Sequence, residues 1–172
     1  MRDASGRGSS DGEAEIERVV RRWLAARREK TPPFARDDSV YLRINDKQRI
    51  KKSFKLQGTL SVFIDGQSTA VLSGSVGALV LEYTNGQSVL DCSGLQAGVI
   101  VSAGLIDGQC LVRLNSLSSI TYREKIDGQC LIVASAQDTV IGNSLRGETS
   151  YYYRGSKPKF GYVQPGTLIK SY

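Results

Sequence analysis

Histidine is missing from all 172 residues, and its absence removes much familiar chemistry. Neither a Ser-His-Asp nor a Cys-His nucleophile can be assembled, and a zinc site would have to be made from cysteine and carboxylate alone. The three cysteines, Cys92, Cys110 and Cys130, are odd in number, widely spaced and without a CxxC pair, so they describe neither a secreted disulfide framework nor a zinc module. No run of 18 or more apolar residues is present, so no membrane span is expected. The opening MRDASGRGSSDGEAE has no apolar h-region, so no secretory signal is expected and the chain reads as cytoplasmic. Proline is scarce at four residues against 18 glycines, which favours many tight turns over a disordered chain. Carboxylate, lysine or tyrosine chemistry is all that is left to an enzyme. The expectation is a non-enzyme with no catalytic residues, no metal and no cofactor.

Charge is present but unevenly spread. Residues 1–53 carry 14 basic and 9 acidic side chains, residues 54–142 carry 4 and 7, and residues 143–172 carry 5 and 1. A nearly uncharged middle between basic ends is unlike a nucleic-acid groove, whose cations should sit on the folded body.

Five segments follow from composition and pattern. Residues 1–12 are Ser/Gly/Arg/Asp-rich and read as a disordered tail. Residues 13–31 read as an amphipathic helix, with Ile16, Val19, Val20, Trp23 and Leu24 on one stripe. Ser10 or Asp11 can cap it, Glu13, Glu15 and Glu17 open it, and Arg27, Arg28 and Lys30 close it, the order its dipole favours. Thr31-Pro32-Pro33 stops it. Residues 32–53 read as a basic linker with entry strands, 54–155 as repeats, and 156–172 as a C-terminal cap or tail.

The repeats carry the fold. IDGQ occurs at 64–67, 106–109 and 126–129, TNGQ at 84–87, and a degenerate LRGE at 145–148. The glycines Gly66, Gly86, Gly108, Gly128 and Gly147 are spaced by 20, 22, 20 and 19 residues, a solenoid period. Two residues past each glycine stand Ser68, Ser88, Cys110, Cys130 and Thr149; four past, Ala70, Leu90, Val112, Ile132 and Tyr151; six past, Leu72, Cys92, Leu114, Ala134 and Tyr153; eight past, Gly74, Gly94, Ser116, Ala136 and Gly155. The fifth position instead holds Val71, Asp91, Arg113, Val133 and Tyr152. Small or apolar even offsets beside an odd one that admits charge describe a strand with one face inward. Before the glycine, Ile64, Thr84, Ile106, Ile126 and Leu145 (two before) and Leu60, Val80, Ser102, Tyr122 and Ile141 (six before) extend the same parity. A 20-residue unit cannot bury its own apolar face, but stacked copies can. The fold expected is all-β: a right-handed single-stranded parallel β-helix of about five rungs, with an N-terminal amphipathic helix and a C-terminal aromatic cap. Handedness is taken from a period of 20 rather than 18 without a hexapeptide pattern.

The stretches GALVLEYTNGQSVLDCSGL, AGLIDGQCLVRL and REKIDGQCLIVAS resemble the glycine-rich β-helices of the auto-transporter adhesin head domain and, more loosely, the bactofilin-type polymer-forming β-helices. The similarity covers roughly residues 54–155. It implies an architecture of turn and core residues rather than a site.

The corner residues Asp65, Gly66, Asn85, Gly86, Asp107, Gly108, Asp127 and Gly128 are the first candidates. A calcium- or sugar-binding edge is one reading, and Asp/Asn capping of local backbone amides is preferred. Gln67, Gln87, Gln109 and Gln129 should stack as an amide ladder. Cys110 and Cys130 should lie about 5 Å apart in neighbouring rungs, within disulfide range, with reduced buried thiols preferred. Glu82 and Glu124 share a register and are the one carboxylate pair to weigh for acid/base work. Tyr151, Tyr152, Arg154, Lys157 and Lys159 in the basic aromatic tail are the binding candidates, able to stack on bases and neutralise phosphates, against a preferred role as a cap. The helix reads as a cap on an open solenoid end or as a partner helix. The function expected is a non-catalytic scaffold or protein-interaction module, self-association through β-helix ends included. Carbohydrate or nucleic-acid binding by a strand face or the tail is the alternative, nucleic acid being less favoured.

Overall fold

The computed structural model describes residues 14–21 and 38–172, which belong to two units, Met1–Asp37 and Asp38–Tyr172. In the first, residues 14–21 form helix α1, where Glu17 and Arg21 pair across one turn at 3.7 Å. The tail 1–12, Glu13, Trp23 to Thr31 and the predicted helix ends lie outside the described residues.

The second unit is a parallel β-solenoid. Each turn has a strand leading into a corner and a strand leaving it. The incoming strands are β1 (Ser39–Ile44), β3 (Thr59–Ile64), the later halves of β4 (Thr69–Thr84) and β5 (Val89–Ser102), β7 (Ser119–Tyr122), β9 (Thr139–Leu145) and β11 (Lys159–Val163). The outgoing strands are β2 (Arg49–Lys55), the first halves of β4 and β5, β6 (Leu111–Asn115), β8 (Leu131–Ala136), β10 (Ser150–Gly155) and β12 (Leu168–Ser171). Every pairing is parallel and joins equivalent residues one turn apart, so each inner strand completes its backbone bonds with the coils on either side.

Corner geometry explains the repeat. Gly66, Gly86, Gly108, Gly128 and Gly147 all have positive φ, and a Cβ built on any of the last four would lie 2.4–2.5 Å from the carbonyl oxygen of the glycine below. Only glycine satisfies both conditions. The column continues beyond the predicted five. Asp46 (φ 60) holds the same place 20 residues before Gly66, and Gly166 (φ 93) follows Gly147 by 19. Seven corners result, and the segments read as linker and tail, from Asp38 onward and from 156 to 172, are turns of the same winding.

The core is one continuous stack. At the five corners from Gly66 to Gly147 the columns two and four past the corner are buried, and the column two before it (Ile64, Thr84, Ile106, Ile126, Leu145) is fully buried. Large aliphatics recur at each level, and burying each contributes roughly 1.5–3 kcal/mol. The fifth position faces outward as expected, pairing Val71, Asp91, Arg113, Val133 and Tyr152 in sequence.

Two predicted columns are corrected. The inward residues six to eight before the corner are Leu60, Leu79, Ile100, Ile120 and Val140, while Val80 and Ile141 point outward. Eight past the corner, Gly74 pairs with Leu95 rather than Gly94, and Ser116 bridges Ala97. Two register shifts displace Val80 and Gly94: Glu82 is an extra residue opposite Val62/Phe63, and β5 inserts one residue opposite Val71/Ser73. A bulge displaces every residue counted across it.

Candidate functional site

The corner residues are occupied with their own backbone. Asp65, Asp107 and Asp127 each accept the N–H of the following glycine through Oδ1, at 2.7, 2.6 and 2.8 Å. Asn85 donates instead to the Tyr83 hydroxyl at 2.8 Å. The Gly128 N–H, with Lys125 at 3.1 Å, holds the Asp127 carboxyl below its ordinary range. Among the described residues, no group of three or more His, Cys, Asp or Glu side chains is placed to hold a metal ion.

Two ladders flank the corner. Outside it, Gln67 donates to Gln87, Gln87 to Gln109, Gln109 to Gln129 and Gln129 to Glu148, at 3.0–3.3 Å. Inside it runs a spine that sequence reasoning took only for small residues. Ser68, Ser88, Cys110, Cys130 and Thr149 point back at the corner carbonyl one turn below, each an oxygen or sulfur donor to Asp46, Gly66, Gly86, Gly108 and Gly128. The same carbonyls accept the N–H of Gln67, Gln87, Gln109, Gln129 and Glu148. Cys110 and Cys130 therefore stand in for serine. All three cysteines are free and buried, and the neighbouring thiol together with burial holds Cys110 well above the ordinary thiol value.

The tail candidates separate. Tyr151 is fully buried, its hydroxyl sharing a hydrogen bond with that of Tyr122 at 2.9 Å. Its ring meets Tyr122 and Phe160 edge-on at 5.9 and 5.7 Å, and Phe160 fits because residue 142 is glycine. This aromatic cluster sits in the core near the C-terminal end, so Tyr151 presents no ring to a surface ligand. Tyr152 and Arg154 do share the outgoing sheet's outer face. Lys157 is exposed in the following turn, and Lys159 pairs with Ile141 on the other sheet. The five residues are not one site.

What the outer face holds instead is a depression of about 370 Å³, lined by Ser93, Arg113, Leu114, Asn115, Val133, Ser135, Arg154 and Tyr172. Of these, only Arg154 was singled out as a site residue. Val133 pairs with Arg113 below and Tyr152 above, and Ser135 with Asn115 below and Arg154 above. Two short side chains thus form a floor between longer neighbours. Arg113 approaches Asp91 at 4.0 Å, and the Arg154 guanidinium lies 4.8 Å over the Tyr172 ring. Burial pushes the Asp91 carboxyl up, but the Ser93 hydroxyl and N–H, both donating to it, and Arg113 outweigh this and lower it. Glu82 and Glu124 are exposed and lie outside the depression.

The solenoid ends differ from its middle. The first turn, 38–58, carries Arg43, Lys47, Arg49, Lys51, Lys52 and Lys55 against Asp38 and Asp46; the last, 146–172, carries Arg146, Arg154, Lys157, Lys159 and Lys170 against Glu148. Among the described residues β1, β2, β11 and β12 each pair on one side only. Lys52 occupies the register of the buried Leu72, its Nζ 5.5 Å from the Phe54 ring centre. No described helix is long and apolar enough to cross a membrane. No family model matches the chain, and neither the curated proteins nor the solved structures give a match.

Proposed function

We propose that this solenoid is a non-catalytic interaction module that captures an extended acidic segment of a partner protein on its first turn. One observation carries the reading: among the described residues β2 offers a seven-residue open edge with Arg49, Lys51 and Lys55 exposed along it. An open edge supplies backbone donors and acceptors to an added strand, and the flanking cations select an acidic one.

End-to-end self-association is less well served. Both terminal turns carry a net charge of +4, so head-to-tail and head-to-head contacts alike bring like charges together. Lys52 adds an inward-pointing cation at the rim, which a second copy would have to bury. The test is fluorescence anisotropy with a labelled peptide alternating Glu and Val. Binding should be salt-sensitive, weaken at least ten-fold in Lys51→Glu/Lys55→Glu, and be lost when Pro replaces central residues of the peptide. Binding indifferent to the charge reversal would refute it, as would concentration-dependent filaments of the chain alone.

A further inference from the structure

We propose that the depression over Val133 and Ser135 is a binding site for an acidic sugar, a pyranose carrying a carboxylate. The shape comes from the stacking. Neighbouring strands lie about 4.8 Å apart, so the walls either side of the Val133 strand are separated by about 10 Å, the width of one sugar ring. Val133 and Ser135 keep the floor low where the adjoining turns carry Arg113 and Asn115 on one side and Tyr152 and Arg154 on the other.

The lining has the three kinds of group that such a sugar uses. Val133 and the Tyr172 ring are apolar surface for the C–H face of a pyranose. Asn115 and Ser135 can donate to and accept from ring hydroxyls, whereas the Ser93 hydroxyl donates to Asp91 at 2.6 Å and keeps only its acceptor capacity. Arg113 and Arg154 stand at opposite walls. Arg113 has one long contact, to Asp91, and Arg154 lies 4.8 Å from the Tyr172 ring centre and forms no ion pair with another described residue. A guanidinium edge is the bidentate partner of a carboxylate.

A nucleic acid fits less well. Phosphate chains draw affinity from many cations, and this wall offers two arginines with Asp91 beside one of them. An inorganic anion would leave the apolar floor unused.

The experiment titrates the full chain with glucuronate, with short polyuronate oligomers, with glucose and with oligothymidylate, following amide chemical shifts. Uronate should perturb residues lining the depression, and glucose should bind at least ten-fold more weakly. Arg113→Gln and Arg154→Gln should each weaken uronate binding about ten-fold, Arg113→Lys should recover part of the loss, and Val133→Trp should abolish binding by filling the floor. Unfolding midpoints of each variant establish that the loss is local. Lys51→Glu/Lys55→Glu should leave uronate binding unchanged, so this site and the acidic-peptide edge stand or fall separately. Equal binding of glucose and glucuronate would overturn the proposal, as would unchanged uronate binding in both arginine variants or tighter arginine-dependent binding of oligothymidylate.

Discussion

Replacing Tyr151 by Phe removes one oxygen and changes no shape, yet it should cost about as much stability as deleting a buried methyl group or two. Tyr122 and Tyr151 are 2% and 0% exposed, and their hydroxyls lie 2.9 Å apart. Neither hydroxyl lacks a partner, because each has the other. Tyr151→Phe therefore strands the Tyr122 hydroxyl away from water, at about 1–3 kcal/mol. Tyr122→Phe should cost the same by the same reasoning. The double variant removes both polar atoms and keeps the edge-on ring contacts, so it should lose less than either single change. The cycle then gives a coupling energy larger than the loss in either single variant. Urea unfolding followed by far-UV circular dichroism measures it, with equal m-values required for the comparison. Additive losses would refute the reasoning, since each hydroxyl would then owe nothing to the other.

Three further outcomes follow from named contacts. Thr84 is the one hydroxyl-bearing residue in an otherwise aliphatic column, and its Oγ1 is buried without a partner among the described residues; Thr84→Val should raise stability by about 1–2 kcal/mol, read as a higher urea midpoint. Gly108→Ala would place a Cβ 2.5 Å from the Gly86 carbonyl oxygen at φ +84, while Gly166→Ala at φ +93 meets nothing within 4 Å; the first should lose at least about 2 kcal/mol more than the second, and equal losses would show that conformation alone excludes side chains there. Burial raises the phenols of Tyr122 and Tyr151 and the thiol of Cys92 above their ordinary values. The unfolded chain then releases protons first, so stability is intact below about pH 8.5 and falls above it, by about 1.4 kcal/mol per pH unit for each group in play. Urea midpoints from pH 8 to 11 check this, and the Tyr122→Phe/Tyr151→Phe chain should show a shallower fall above pH 10.

The sequence announces this fold wherever counting starts at a corner and crosses no insertion. Ser68, Ala70 and their equivalents were legible because the outgoing strand begins at a fixed glycine. Val80 was misread because Glu82 breaks the count back from Gly86, and Gly94 because β5 adds a residue after Asp91. The first corner was missed because aspartate replaces glycine at position 46, and the last because Gln164-Pro165-Gly166-Thr167 shares only its glycine with the repeat. The depression was illegible for a different reason. It is made by what Val133 and Ser135 lack relative to residues about 20 positions away on either side, and no motif records a difference between rows.

Stacking also explains where chemistry can collect. A charged residue repeated at one position places like charges about 4.8 Å apart, which costs more with every added turn. The middle turns accordingly fill their outer positions with neutral ladders such as Gln67 to Gln129, or set opposite charges in neighbouring rows, as with Asp91 and Arg113. Asp107 and Asp127 are consecutive, and Lys125 sits against the second. Charge without a neighbouring row to repel can accumulate only at the first and last turns, and an arginine can keep its hydrogen-bonding edge open only where the next row is small. Both conditions are met at the two places proposed above for a partner, β2 and the floor over Val133.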